Sequence, residues 1–506
     1  MINVHKLLAR NTLATFVKHF VNLGILFYLT PFTISAIGNL QYGLWAVVLT
    51  VAGYSGLLDM GITTATTKLA AEYRSRDKSD KLNELISSSI SLFTFFGFIC
   101  LVLIMIFMPG YIASINHEAL GTESPVVISA LIGIDIFFVF IANIFTGIIL
   151  SFHQFHIKSL IDIIVGLLRL FATIVVLNAG YGLLGLAFIK LSTSVISSSA
   201  LYFVFKKQMP SYKIKIKRPA PGEVRSLVSL GGKLFYMTLA VRLSNMTSPI
   251  IVASTIGSVW NAYYAIVERL ATYGNEIVYA VTAAFMPVFS ELFAQDEDEM
   301  VGRLYLQYTR YVISLSMPMF IGVVVLGPEF IGVWINHDYM VKGGTALRFL
   351  ASSFAIIGLQ PLLGRLVIGS GRVGFYTTTV SVGIVLNILI SIPICYYLGI
   401  TGLAALSTLF STFFFVVFTI HLSKAYNISI KNQIVDCYLR MVPPIAAFLI
   451  AYKLMGNMPM ADSYFAVFTK AVILVAVYVP VAFVSVLNSK ERAKIFQVIS
   501  LRVLKS

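Results

Sequence analysis

Gly38–Tyr73 reads GNLQYGLWAVVLTVAGYSGLLDMGITTATTKLAAEY. A Gly-Asn turn opens it, and from there to Leu58 the chain carries no charged residue. Asp59 closes the run, and Lys68 and Glu72 follow in a more polar segment. A helix needs roughly 20 apolar residues to cross a bilayer core of about 30 Å. The stretch before the turn, residues 11–36, is similarly apolar. The two therefore read as a helical hairpin through a membrane. The runs are continuous and do not alternate every second residue, which excludes outer-membrane strands.

The pattern extends over all 506 residues. The chain is 58% hydrophobic and 12% charged, with a mean hydropathy of +0.87. A soluble domain carries about a quarter charged residues, so lipid must be the solvent for most of this surface. Fourteen spans are predicted at 11–36, 41–64, 85–108, 125–150, 160–178, 182–205, 227–256, 260–288, 311–335, 345–364, 375–397, 401–423, 441–456 and 464–487. No small-residue cleavage site follows the first run, so that helix is expected to stay. Cys100, Cys395 and Cys437 are too scattered for a disulfide framework or a thiolate metal site.

Positive charge sets the orientation. With both termini and the even-numbered connections in the cytoplasm, 27 of the 37 Lys and Arg residues lie on that side. Nine fall within or at the edges of spans, and only Lys342 falls in an external loop. The +15 net charge is thereby accounted for by membrane flanks, without nucleic-acid binding. The protein is predicted to be a multi-pass component of a bacterial inner membrane, with both ends cytoplasmic.

A basic segment, KKQMPSYKIKIKRPAPGEVR at Lys206–Arg225, follows the sixth span. It reads as a cytoplasmic linker that also suits anionic headgroups. The expected organisation is an N-terminal lobe at 1–205, the linker at 206–226, a C-terminal lobe at 227–424, and a final helix pair with a tail at 425–506. The lobes echo each other. Gly38 is followed by Ala46-Val47-Val48, Tyr54 and Glu72, and Gly257 by Ala265-Ile266-Val267, Tyr273 and Glu291 at the same offsets. Pro31 and Pro249 precede the two glycines. Two repeats of parallel topology imply a cavity between them.

Ionisable residues within a bilayer are costly and normally line a wet cavity or pair with one another. The cations expected at depth as cargo contacts are Arg242, Lys18, Arg269 and Arg169; Lys190 is also at depth. The acids, as coupling groups or charge partners, are Asp59, Asp135, Glu268 and Glu276, with Asp162 seven residues before Arg169. Lys18 lies 20 residues before Gly38 and Asp59 lies 21 after it, each roughly 30 Å from the turn at about 1.5 Å per residue. Lys18 therefore either snorkels or pairs with Asp59, or it contacts cargo. Arg242 is the cation least able to snorkel. Arg offers a diphosphate the bidentate donors that Lys lacks, and Tyr263, Tyr264, Tyr273 and Tyr279 offer flat faces to sugars. Arg348 and Lys470 read as interfacial. The longest external connection is 109–124, PGYIASINHEALGTES. No nucleophile elbow, phosphate loop, metal-ligand spacing or cofactor motif is present.

Gly38–Glu72, with AFMPVFSELF at Ala284–Phe293, resembles the polysaccharide-transporter (Wzx-like) branch of the multidrug/oligosaccharidyl-lipid/polysaccharide exporter superfamily. The six plus six plus two helix plan extends that resemblance over the whole chain. It implies an all-α, V-shaped bundle working by alternating access. It also implies an undecaprenyl-diphosphate-linked oligosaccharide as cargo, with membrane lipids and glycan polymerase machinery as partners. The drug-exporting branch usually has twelve helices and an acid in its first helix, whereas no acid lies between Asn11 and Gly38 here. A cation-coupled drug antiporter is the alternative, and a membrane-embedded glycan polymerase or ligase is a more distant one.

Overall fold

Continuous apolar runs bounded by glycine turns and charged flanks produce helix after helix. The computed structural model describes residues 4–493, apart from 60, 77, 116–119, 122, 153, 209–219, 283–284, 296 and 458–462. Of residues 230–246 it describes the backbone alone. Among the described residues every regular element is helical. Ten helices among the described residues are long and apolar enough to cross a membrane, making this a multi-pass membrane protein. Its outer surface carries bare apolar side chains such as Phe171, Leu315 and Phe465, as a lipid solvent requires. The chain divides into two compact units, Met1–Ala262 and Tyr263–Ser506.

Unit 1 begins with α1 (Val4–Leu58), whose 55 residues far exceed one crossing. Gly38 breaks it at φ 76°, ψ 168°, a left-handed region that favours glycine because it has no Cβ. Two arms result, at the turn anticipated from the sequence. The short α2 (Ile62–Ser75) follows, then α3 (Ser79–Ile115), α4 (Pro125–Ser151), α5 (Phe155–Asn178), α6 (Gly182–Gln208) and α7 (Pro221–Ile256). The first turn of α8 (Ser258–Thr282) also belongs to this unit. The core forms where α3 and α6 pack on α4, with Phe93, Ile132, Phe140, Ile148 and Phe205 at 5% exposure or less. Helix α3 continues through Pro109 to Ile115, so much of the expected external connection 109–124 is helical.

Unit 2 takes most of α8, then α9 (Phe285–Ala294), α10 (Asp298–Trp334), α11 (His337–Ile357) and the short α12 (Leu363–Gly369). Helix α13 (Gly374–Tyr426) is again over-long and breaks at Gly399. The next segment is π-helical at Gln433–Tyr438 before α14 (Val442–Leu454); α15 (Tyr464–Val486) follows. Asn336 caps α11 by accepting from Tyr339 N at 3.2 Å. The cap starts this helix eight residues before the predicted span at 345. Gly343 and Lys342 therefore lie on the helix, with Gly343 buried, and not in an external loop. Lys470, read as interfacial, is packed inside the protein. It is 8% exposed and pairs with Glu329 at 2.9 Å.

Behind α15 the chain is tied back onto α10. Arg310, 5% exposed, donates to Glu491 Oε1 at 2.6 Å. The Tyr311 hydroxyl donates to the same oxygen at 2.5 Å, and Asn488 N donates to Glu491 Oε2 at 2.7 Å.

The echo read in the sequence has a backbone counterpart. Gly257, at φ 96°, ψ 167°, repeats the conformation of Gly38, 219 positions later. Helices α3 and α10 are both 37 residues long, start 219 positions apart, and carry Pro109 and Pro328 at matching places. Glu72 and Glu291 both sit on the short helices, α2 and α9.

Candidate functional site

Five of the charges predicted to lie at depth, Lys18, Asp135, Asp162, Arg169 and Lys190, are brought together in unit 1 by α1, α4, α5 and α6. Asp135 on α4 is fully buried. It pairs with Lys190 on α6 at 2.8 Å and accepts from the Ser194 hydroxyl at 2.5 Å. Helical spacing puts Lys190 and Ser194, four residues apart, on the face of α6 that meets α4. On α5, Arg169 donates to the Thr193 hydroxyl at 3.3 Å, and that hydroxyl donates to Lys190 O at 2.9 Å. Two turns earlier on α5, Asp162 pairs with Lys18 of α1 at 3.7 Å and with Lys158.

These groups form a polar column along the helices. Arg169 lies 9 residues before Asn178 at the end of α5 and Asp162 lies 16 before it. At about 1.5 Å per residue these are about 14 and 24 Å from the α5–α6 turn. The column thus runs from near mid-span toward the end of the helices away from that turn. It holds four cations (Lys18, Lys158, Arg169, Lys190) and two carboxylates (Asp135, Asp162). Both carboxylates are ion-paired with lysines, which leaves a formal surplus of positive charge, and Arg169 keeps exposed surface. Such an arrangement can receive an anion. It has no nucleophile–base geometry, and no cluster of metal-ligating side chains occurs among the described residues.

The remaining predicted residues lie elsewhere. Asp59 does not meet Lys18. It accepts from Thr63 N at 3.3 Å and from the Thr63 hydroxyl at 2.8 Å, fixing the first turn of α2, where negative charge suits the helix dipole. In unit 2, Arg269 is exposed, donates to the Tyr273 hydroxyl at 3.3 Å and lies over that ring at 5.7 Å. Glu268 is half-buried beside it. Arg242 and Glu276 are on α7 and α8, but their side chains lie outside the described residues. Sequence reasoning misses Lys158, which the charge count assigns to the cytoplasmic flanks. The i,i+4 spacing of Lys158 and Asp162 is the available signal.

A column of this kind in a helical membrane protein acquires meaning from its relatives. Residues 8–293 match the polysaccharide biosynthesis protein family. The chain belongs to that family. No curated protein sequence matches it significantly. Among solved structures, the family member is similar to the lipid II flippase MurJ in an inward closed conformation. That match has 14% identity and a TM-score of 0.71, covering 94% of this chain and 98% of that one. It is also similar to an inward-facing multidrug resistance MATE family transporter, at 15% identity and TM-score 0.66, with 81% and 99% covered. The MATE multidrug transporter DinF-BH matches at 14% identity and TM-score 0.61, with 84% and 97% covered. The chain therefore shares the fold of these solved proteins, a flippase and two multidrug transporters.

Proposed function

We propose that the protein moves an undecaprenyl-diphosphate-linked oligosaccharide from the cytoplasmic to the outer leaflet of a bacterial inner membrane. It would do so by alternating access, for surface polysaccharide synthesis. Membership of the polysaccharide biosynthesis family carries this reading; the cationic surplus of the unit 1 column supports it. A diphosphate needs fixed positive charge with several donors. Arg169 near mid-span, with Lys18 and Lys158 toward the mouth, supplies such charge along a path. Arg242 and Arg269 are the further cation candidates. The moved cargo would then pass to glycan polymerase machinery.

Fourteen crossings fit this reading. Two of the ten apolar helices each break at a glycine and count twice, and α7 and α8 supply the last two. On the positive-inside count, both termini are cytoplasmic. Cysteines at Tyr181 or His337, both exposed at helix junctions, should react with an impermeant thiol reagent added outside, in a background without the native three. Cysteines at Ser79 or Glu299 should stay unlabelled until the membrane is permeabilised. Reversed labelling would invert the topology.

The functional test is deletion. Loss of the gene should abolish the surface polymer and leave lipid-linked oligosaccharide in the cytoplasmic leaflet. In the complemented strain, Arg169→Ala and Arg242→Ala should each lower export by about tenfold or more at near-normal abundance. Lysine at either position should rescue only in part, because a point charge loses bidentate geometry. The MATE-like fold favours a second reading, cation-coupled drug export. A strain that keeps its polymer but becomes sensitive to cationic drugs would establish that alternative.

A further inference from the structure

Hydropathy starts the tenth span at residue 345, which sets Arg348 at a membrane interface. Helix α11 runs instead from His337 to Ile357, about one bilayer crossing at 1.5 Å per residue. Arg348 therefore stands 11 residues from one end and 9 from the other, about 17 and 14 Å along the axis. Neither end is within reach of a snorkelling side chain.

Packing fixes the rotation of α11. One face carries Tyr339, Gly343, Leu347, Leu350 and Ala351, all buried. A Cβ on Gly343 would come within 2.9 Å of Val267 on α8, and one on Gly344 within 3.1 Å of Pro328 on α10. The opposite face carries Lys342, Thr345, Arg348 and Ser352 at three- and four-residue intervals, which makes one stripe along a helix. Lys342, toward the His337 end, pairs with Asp338 at 3.0 Å and donates to the Tyr263 hydroxyl at 3.2 Å. Arg348 is exposed, and among the described residues its guanidinium has no carboxylate, hydrogen-bond acceptor or aromatic ring as partner. An unpaired cation at the centre of a crossing is costly against lipid and normally faces water. The hydroxyl-bearing Thr345 and Ser352 beside it suit water as well.

We propose that Arg348 marks an anion site on this face of unit 2, whose ligand is a lipid-borne phosphate in transit between leaflets. Resident phospholipids keep their phosphates in the headgroup regions, outside the hydrocarbon core. Only a headgroup being moved brings one to mid-depth. A guanidinium with its donors free matches phosphate oxygens bidentately, and Thr345, one turn away, adds a hydroxyl. The site rests on the flippase reading and adds a cargo contact in unit 2.

Thr345→Cys tests it, in purified protein without Cys100, Cys395 and Cys437, held in nanodiscs of zwitterionic lipid. This cysteine should react with the small anionic reagent methanethiosulfonate ethylsulfonate. Leu389→Cys, at a bare apolar position on α13, should not. Inorganic pyrophosphate should slow the reaction at Thr345→Cys at least threefold, and adding Arg348→Gln should abolish that protection. No reaction at Thr345→Cys would put the face against lipid and overturn the proposal. Equal protection with and without Arg348 would overturn it as well. Nanodiscs containing phosphatidylglycerol separate the two sources of phosphate. Protection by that lipid alone would make this a resident-lipid site and overturn the transit reading. In cells, Arg348→Gln leaves no partner behind, so abundance should hold while export falls about tenfold, with Arg348→Lys rescuing in part. Unchanged export would remove Arg348 from the path. If the deletion strain keeps its polymer, the flippase reading fails, while the pyrophosphate result still decides the anion site.

Discussion

Lys190→Ala should remove most of the protein from the membrane. The substitution leaves Asp135, with no exposed surface, facing the Ser194 hydroxyl without the ammonium 2.8 Å away that balances its charge. Breaking a buried pair by deleting one partner costs about 3–5 kcal/mol, comparable to much of a typical protein's net stability of about 5–15 kcal/mol. Abundance in membrane fractions should fall at least fivefold, and the detergent-solubilised remainder should melt at a visibly lower temperature. Asp135→Asn/Lys190→Gln removes both charges, keeps hydrogen-bonding groups, and should restore abundance. Export by that double variant separates two roles. Restored export makes the pair structural. Normal abundance without export assigns Asp135 or Lys190 to the transport step. Unchanged abundance in Lys190→Ala would mean that Asp135 is neutral or reached by water.

Gly43→Ala should be nearly as severe, for a steric reason. A Cβ at this position on the second arm of α1 would lie 1.6 Å from the Ser258 carbonyl oxygen, well inside van der Waals contact. The backbones must separate, and Asn261, fully buried, loses the bond its Nδ2 makes to Gly43 O at 2.9 Å. Overpacking costs about 1–3 kcal/mol, and leaving the buried amide unsatisfied costs about 1–3 kcal/mol more. Asn261→Ala removes the amide while keeping the close approach, so it should be clearly milder. Melting curves of the two solubilised variants make the comparison. Equal stability of Gly43→Ala and wild type would mean that this approach is not populated.

The fold is legible because lipid imposes a length on every apolar run and glycine marks the turns. Gly38, Gly257 and Gly399 all carry positive φ, and each falls at a junction between predicted spans. Helix ends are less legible. Hydropathy starts the span around Gly343 too late because Asn336, the capping residue, looks like loop. At the site, the set of intramembrane charges can be read but not their partners. Lys18 meets Asp162 and not Asp59 because α5 packs along α1, a tertiary fact that no local pattern contains. Asp59 is instead committed to a local bond four residues on, which spacing alone allows. The bond from Tyr73 of α2 to Glu223 of α7 is hidden as well, since the two lie 150 positions apart and have no recognisable echo.

The bond between Glu491 and Arg310 determines how the far end of the chain can be handled. Burial pushes the Glu491 carboxyl up, but Tyr311, Asn488 N and Arg310 more than offset this and hold it below the ordinary glutamate range. A group with a depressed folded value contributes stability above its unfolded pKa and loses it as pH falls through the folded one. This fastening therefore stays closed through neutral and mildly acid conditions and opens only in stronger acid. A truncation that stops after Val486 would cut the fastening and leave a guanidinium inside the protein with no counter-charge, as if a clasp had been removed with the hem it was sewn to. An affinity tag added after Ser506 leaves it intact.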